Sequence, residues 1–506
     1  MTLPRARRAM LCSAGRCMLS SLIAACSGAS APALKGSASD NGGAAHAAAV
    51  SVPESERWRK KQPAPGQPPA IVPPKFSQAK LLNGLTVVVS ENPQLPTVTV
   101  SVVMRAGSAA EPRSKAGLAD LSYELLLEGA GERNADELAE AFADLGTTTS
   151  VKSGADGARI SAAVLSSNLQ GAIALLADVV QRPRMREANF QRRKSSQLAN
   201  LAQLSGHPRY LADLAFAPLV FGGPHPYGHL GKGTIHSVKA LRLQDAKAFY
   251  KRHVGPKNTA LVFAGDVSLE TATNLAQEHF ANWRHPVKAV RAPKRAPVRK
   301  RSSIILVPKT GLSQSVIVAG RPAVPSGHPD EWALRLANAV YGGLFGSRLN
   351  MNLREDKGYT YGARSRVEAR RGTGPLVIST AVRADVTAPS VKELFNELEA
   401  LVSRPITESE MQAAREATMR SLPGQFETNA GLAAAAARLY LGDLPLDRYQ
   451  RMLAAYRDMN LQTVRSAARR YFTPSKIQLV LVGDPASIKK PVSALGIGRL
   501  VSEAGP

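Results

Sequence analysis

Asp120 and Glu124 stand four residues apart in a stretch with helical spacing, so both carboxylates project from one helix face. Carboxylate oxygens are hard donors, better suited to calcium or magnesium than to zinc. Without an ion, like charges at this spacing repel, and the pattern calls for an Arg or Lys nearby. Tyr123, beside them, carries a phenol of ordinary pKa about 10, which makes it a poor general base. Arg354 and Tyr361 lie seven residues apart. They combine a permanently charged, forked donor with a single O–H donor, a pair able to grip a developing oxyanion. The same types also suit a helix-end salt bridge and a strand-core tyrosine. His225 and His229 are four apart, but Pro226 and Gly228 interrupt any helix between them, so they read as loop and turn residues. Gly231-Lys232-Gly233 lacks the spacing and the Ser/Thr of a phosphate-binding loop. There is no G-x-S-x-G elbow, and Cys12, Cys17 and Cys26, the only cysteines, all precede the body of the chain.

The elements that must position these groups come in two copies. Val254–Asp266 resembles Phe472–Asp484, with Pro256 matching Pro474 and Asp266 matching Asp484. Ala177–Pro183 echoes Glu399–Pro405 in the same way. Such self-similarity implies a duplicated domain. We place the copies at 75–285 and 302–490, joined by a basic, Pro-rich linker at 286–301. In the first copy Leu85–Ser90 and Thr97–Met104 read as strands, the second alternating at period two. Helical spacing follows at 116–128, 135–145, 169–181 and 187–204. The second copy opens with strands Ile304–Val307 and Ser315–Ala319. Helices at 330–342, 347–356, 389–403, 408–420, 430–441 and 461–472 come after them. Strands and helices in blocks predict an α+β fold, with an antiparallel sheet covered by helices in each domain. The 430–441 segment is nearly all alanine and suits close packing rather than chemistry.

Asn83-Gly84-Leu85, Arg105–Ser108, Ala116–Ala119 and His225–Gly228 together resemble the first domain of the pitrilysin/insulinase (inverzincin) zinc peptidases. Arg348-Leu349, Leu353–Glu355, Gly358–Gly362 and Phe426–Asn429 resemble their second domain. The resemblance covers about residues 78–485. It implies an H-x-x-E-H helix at the Asp120 stretch, two His binding zinc and a Glu activating water. Asp120 and Glu124 stand at the two histidine positions, Tyr123 at the base, and Asn200 at the third ligand. All four groups of the degenerate zinc site are replaced, which implies no metal and no catalytic residue in this chain alone. In the second domain the resemblance implies that Arg354 and Tyr361 bind the substrate carbonyl. It also implies that some bacterial members divide the work between two chains. This sequence resembles the non-catalytic partner: a substrate-binding subunit that lends Arg354 and Tyr361 to a catalytic subunit with H-x-x-E-H and zinc. The alternative is a structural or peptide-holding protein with no part in proteolysis.

The 506 residues are 44% hydrophobic and 21% charged, as expected of ordinary globular domains. The net charge of +26 raises the question of nucleic acid. Four arginines in residues 1–25 and eight basic residues in 284–301, with no acid in either stretch, supply almost half of it. No nucleic-acid motif accompanies them, so a solvated basic surface is the reading and no nucleic acid is expected. Arginines followed by Met18–Ala25 have the form of a signal peptide, too short to span a membrane. Ile23-Ala24-Ala25-Cys26 resembles the lipobox of bacterial lipoproteins, which implies cleavage before Cys26 and a lipid on its thiol. A plain signal peptide is the alternative. Residues 26–74, rich in Ser, Ala, Gly and Pro, read as a disordered tether. The protein is thus expected in the bacterial cell envelope, lipid-anchored, in the outer membrane facing the periplasm.

Overall fold

The computed structural model describes residues 54–60 and 70–502. Cys26, the leader and most of the tether lie outside the described residues. Glu54–Lys60 is one short 3-10 helix. The body starts slightly before residue 75: Ile71 packs on the core of the second domain, and the Pro74 carbonyl accepts a hydrogen bond from the Gln450 side chain. No helix among the described residues is long and apolar enough to cross a membrane.

Each repeat builds one six-stranded sheet. The first contains β1 (Ser77–Lys80), β2 (Thr86–Glu91), β3 (Thr97–Met104), β4 (Ser150–Ser153), β5 (Ala158–Leu165) and β6 (Thr259–Gly265), in the order β1-β2-β6-β3-β5-β4. The second contains β7 (Ser303–Pro308), β8 (Gln314–Pro322), β9 (Thr360–Val367), β10 (Pro375–Arg383), β11 (Gln478–Gly483) and β12 (Arg499–Ser502), in the order β12-β7-β11-β8-β10-β9. The sequence echo ending at Asp266 and Asp484 falls on the same strand of each sheet, β6 and β11. The fold is α+β as expected, but the sheets are mixed rather than antiparallel: β2–β6, β7–β11 and β12–β7 are parallel pairs. The reason is topological. β6 returns across the helices and inserts between β2 and β3, which run in opposite directions, so it must be parallel to one of them. Both inserted strands are buried along their whole length, which their unbroken apolar runs fit.

One face of each sheet carries its own repeat's helices, among them Leu118–Leu126 and Leu169–Gln181 in the first. The other face is covered by a helix of the opposite repeat. Leu211, Phe216, Leu219 and Val220 of Pro208–Phe221 pack on Val307, Val318, Val377 and Val480 of the second sheet. In return, Leu432, Ala433, Ala436 and Ala437 of Asn429–Leu441 pack on Val88, Val103, Ala260 and Val262 of the first. The alanines let this helix lie close to the strands. Residues 283–302 form neither helix nor strand, yet they are strapped to the body. Asn258 Nδ2 donates to the Lys288 carbonyl at 2.9 Å, and Ala296 is buried.

Candidate functional site

The helix carrying Asp120 and Glu124 starts at Gly117, whose φ of +95° favours glycine. A Cβ there would also lie 2.9 Å from the Lys232 carbonyl oxygen. No side chain caps the helix from Gly117 itself. The Glu111 carboxylate does so instead, accepting from the Gly117 and Ala119 N–H groups at 2.9 and 2.6 Å. His229 Nε2 lies 3.2 Å from the same carboxylate. His229 is thus committed to packing, while His225 contacts the Lys294 carbonyl and accepts from the Tyr227 N–H.

Asp120, Glu124 and Asn200 do converge, lining one cavity of 180 Å³. Two cations share it. Lys232 Nζ lies 3.9 Å from Asp120 and Arg193 Nη1 lies 3.4 Å from Glu124. This is the compensation that the carboxylate spacing called for, although the spacing did not say which cations would supply it. Burial raises the pKa of Asp120, with Lys232 opposing, and raises that of Glu124, with Arg193 opposing. Tyr123 points elsewhere. It is 1% exposed, its hydroxyl donates to the Ala106 carbonyl at 2.6 Å, and its ring meets Phe249 edge-on at 5.8 Å. Burial drives its phenol far above the ordinary range. Tyr123, which the resemblance sets at the base position, is therefore a core residue.

These groups do not fit zinc. The ion favours imidazole and thiolate, and here it would meet two carboxylates, an amide, an ammonium and a guanidinium. Among the described residues no three His, Cys, Asp or Glu side chains are grouped to hold a metal.

Arg354 lies in a π-helical turn, Met351–Asp356. Its guanidinium sits 4.7 Å above the Phe345 ring, and Nε lies 3.2 Å from the Glu355 carboxylate. The chain before it is clamped by Arg348, whose forked guanidinium meets Glu410 at 2.6 and 2.7 Å. Tyr361 is on β9, the edge strand. There the pairing with β10 slips between Thr380 and Val382, so Tyr361 and Gly362 stand against Ala381 alone. Such a bulge re-aims side chains. Tyr361 is 90% exposed and is no part of a strand core. Neither Arg354 nor Tyr361 lines the Asp120–Glu124 cavity.

Two family models match the chain: "Insulinase (Peptidase family M16)" over residues 86–215 and "Peptidase M16 inactive domain" over 240–418. The chain belongs to the insulinase family, M16. An uncharacterized zinc protease from Mycobacterium leprae is 27% identical over 342 residues, 66% of this chain and 75% of that one. The non-peptidase homolog YmxG from Helicobacter pylori is 24% identical over 424 residues, 83% of this chain and 95% of that one. Among solved structures, an M16 inactive domain from Pseudomonas fluorescens superposes with a TM-score of 0.76 at 23% identity, covering 81% of this chain and 98% of that one. The match to the M16 inactive domain and the likeness to a non-peptidase homolog make this M16 chain a non-catalytic member.

Proposed function

We propose that this chain is the substrate-binding subunit of a two-chain M16 zinc peptidase. It binds peptide and lends Arg354 and Tyr361 to the active site of a partner that carries H-x-x-E-H. The observation behind this reading is an asymmetry between the two repeats. The zinc-side positions are filled by a core tyrosine and by carboxylates paired to Lys232 and Arg193, whereas Arg354 and Tyr361 keep donor groups on the surface. In that role the guanidinium and the phenol would donate to the carbonyl oxygen as negative charge develops on it. The partner's zinc would polarise the same carbonyl and activate water.

Co-purification with the native partner, followed by zinc analysis of each chain, tests the reading. Zinc should follow the partner, and peptide hydrolysis should appear only when both chains are present. Stoichiometric zinc in the isolated chain, or chelator-sensitive hydrolysis without a partner, would overturn it.

The reading includes a location. Cleavage before Cys26 would leave a lipidated cysteine at the mature N-terminus, with Ser27 after it directing the protein to the outer membrane. Mass spectrometry of the mature N-terminus should find a diacylglyceryl-modified Cys26. An unmodified start at any other residue would make the protein an ordinary secreted one.

A further inference from the structure

A second, larger cavity lies where the two repeats meet. Its volume is 650 Å³, and it is lined by Gly154 and Asp156 of the first repeat and by Arg438, Leu441, Tyr449 and Met452, among others, of the second. Most of its charged groups are already paired. Arg335 and Arg448 both bind Glu331, Arg370 binds Glu368, and Arg371 binds Asp443. Asp156 accepts from the Tyr227 hydroxyl and from the Arg371 N–H.

Arg438 differs. Among the described residues no carboxylate lies within ion-pair distance of it. Arg159, in the same condition, lies near it, and Lys152 lies beside Arg159; both stand outside the cavity lining. Lys152 on β4 and Arg159 on β5 are register partners and therefore neighbours on one sheet face. Arg159 is also opposite Val103, which packs under the helix Asn429–Leu441 that carries Arg438. Burial lowers the pKa of the Arg159 guanidinium, and the nearby Arg438 charge lowers it further. Three like charges gathered at a domain junction, one of them half-buried, repel one another unless an anion joins them.

We propose that Lys152, Arg159 and Arg438 form a binding site for a carboxylate whose apolar body enters the cavity beside Leu441, Tyr449 and Met452, as a short peptide's would. Guanidinium groups hold carboxylates through paired, charge-assisted hydrogen bonds, and the aliphatic and aromatic walls suit an apolar chain. The site is complete within one chain and does not depend on the two-chain reading above.

The test is calorimetric titration of the purified full chain, at low salt, with three peptides. The first is acetyl-Ala-Leu-Ala-Leu-Ala-Leu with a free C-terminus, the second its C-terminal amide, and the third the amide with one internal Glu. The free acid should bind, and the plain amide should bind about ten- to a hundredfold more weakly, as expected for loss of a charged hydrogen-bonding group. Binding of the Glu peptide would show that side-chain carboxylates are accepted, and its failure that the site takes a chain terminus; both support a carboxylate site. Arg438→Glu, on an exposed helix position, should cost a similar factor while leaving the unfolding midpoint in place. Equal binding of acid and amide, no binding of the acid at millimolar concentration, or an unaffected Arg438→Glu variant would overturn the proposal.

Discussion

Replacing Arg354 by Ala, or Tyr361 by Phe, should lower kcat of the reconstituted two-chain enzyme by about 10²–10³, while complex assembly and the partner's zinc stay unchanged. The magnitude is that of removing one preorganised donor from an oxyanion, about 3–4 kcal/mol. Position makes the two substitutions clean. Tyr361 is on an edge strand, and Tyr361→Phe deletes one exposed oxygen without touching a core. Arg354 has Phe345 and Glu355 as its neighbours, and Phe345 is itself exposed, so losing the guanidinium leaves no buried charge unpaired. Asp120→Ala and Glu124→Ala should leave kcat within about twofold, because neither group touches substrate on this reading. If the complex keeps full kcat with both Arg354 and Tyr361 removed, the shared site fails. The chain is then a scaffold or a peptide holder.

Tyr123→Ala should lower the free energy of unfolding by about 3–5 kcal/mol, the cost of emptying a large aromatic site in a core. Tyr123→Phe should cost about 1–2 kcal/mol, since it leaves the buried Ala106 carbonyl without its donor. Urea unfolding of the purified chain measures both. A loss below about 1 kcal/mol for Tyr123→Ala would mean that the ring is not held against Phe249 and that position 123 still faces the cavity. The same geometry bears on reviving a metal site. Writing Glu at position 123 would place a carboxylate where only a carbonyl oxygen and an aromatic ring await it. Three substitutions toward H-x-x-E-H would therefore harm the fold before they could build a site.

Much of this was legible from residues alone. Helices at 169–181 and 408–420 appear at the expected bounds, because apolar spacing and flanking turns act locally. The duplication was legible because β6 and β11 keep nearly the same words. Strand direction was not, since where β6 inserts is decided by partners far away in sequence. The helix Pro208–Phe221 was missed. It is apolar on most sides, carries Pro218 internally, and so shows no single stripe. At the cavity holding Asp120 and Glu124, the carboxylate spacing announced that cations must come near, but only the fold brings Lys232 and Arg193 there. Nothing in the residue order signalled that Tyr123 turns inward, because a helix phase is set by what packs against it.

The exchange of helices between the repeats has a consequence for how the molecule keeps its integrity. Neither sheet has both faces covered by its own half of the chain. The valines under Pro208–Phe221 and those under Asn429–Leu441 would be open to water in a lone repeat. The halves are thus related as two clasped hands rather than two beads. Damage to the grip of one loosens the other, and melting belongs to the pair.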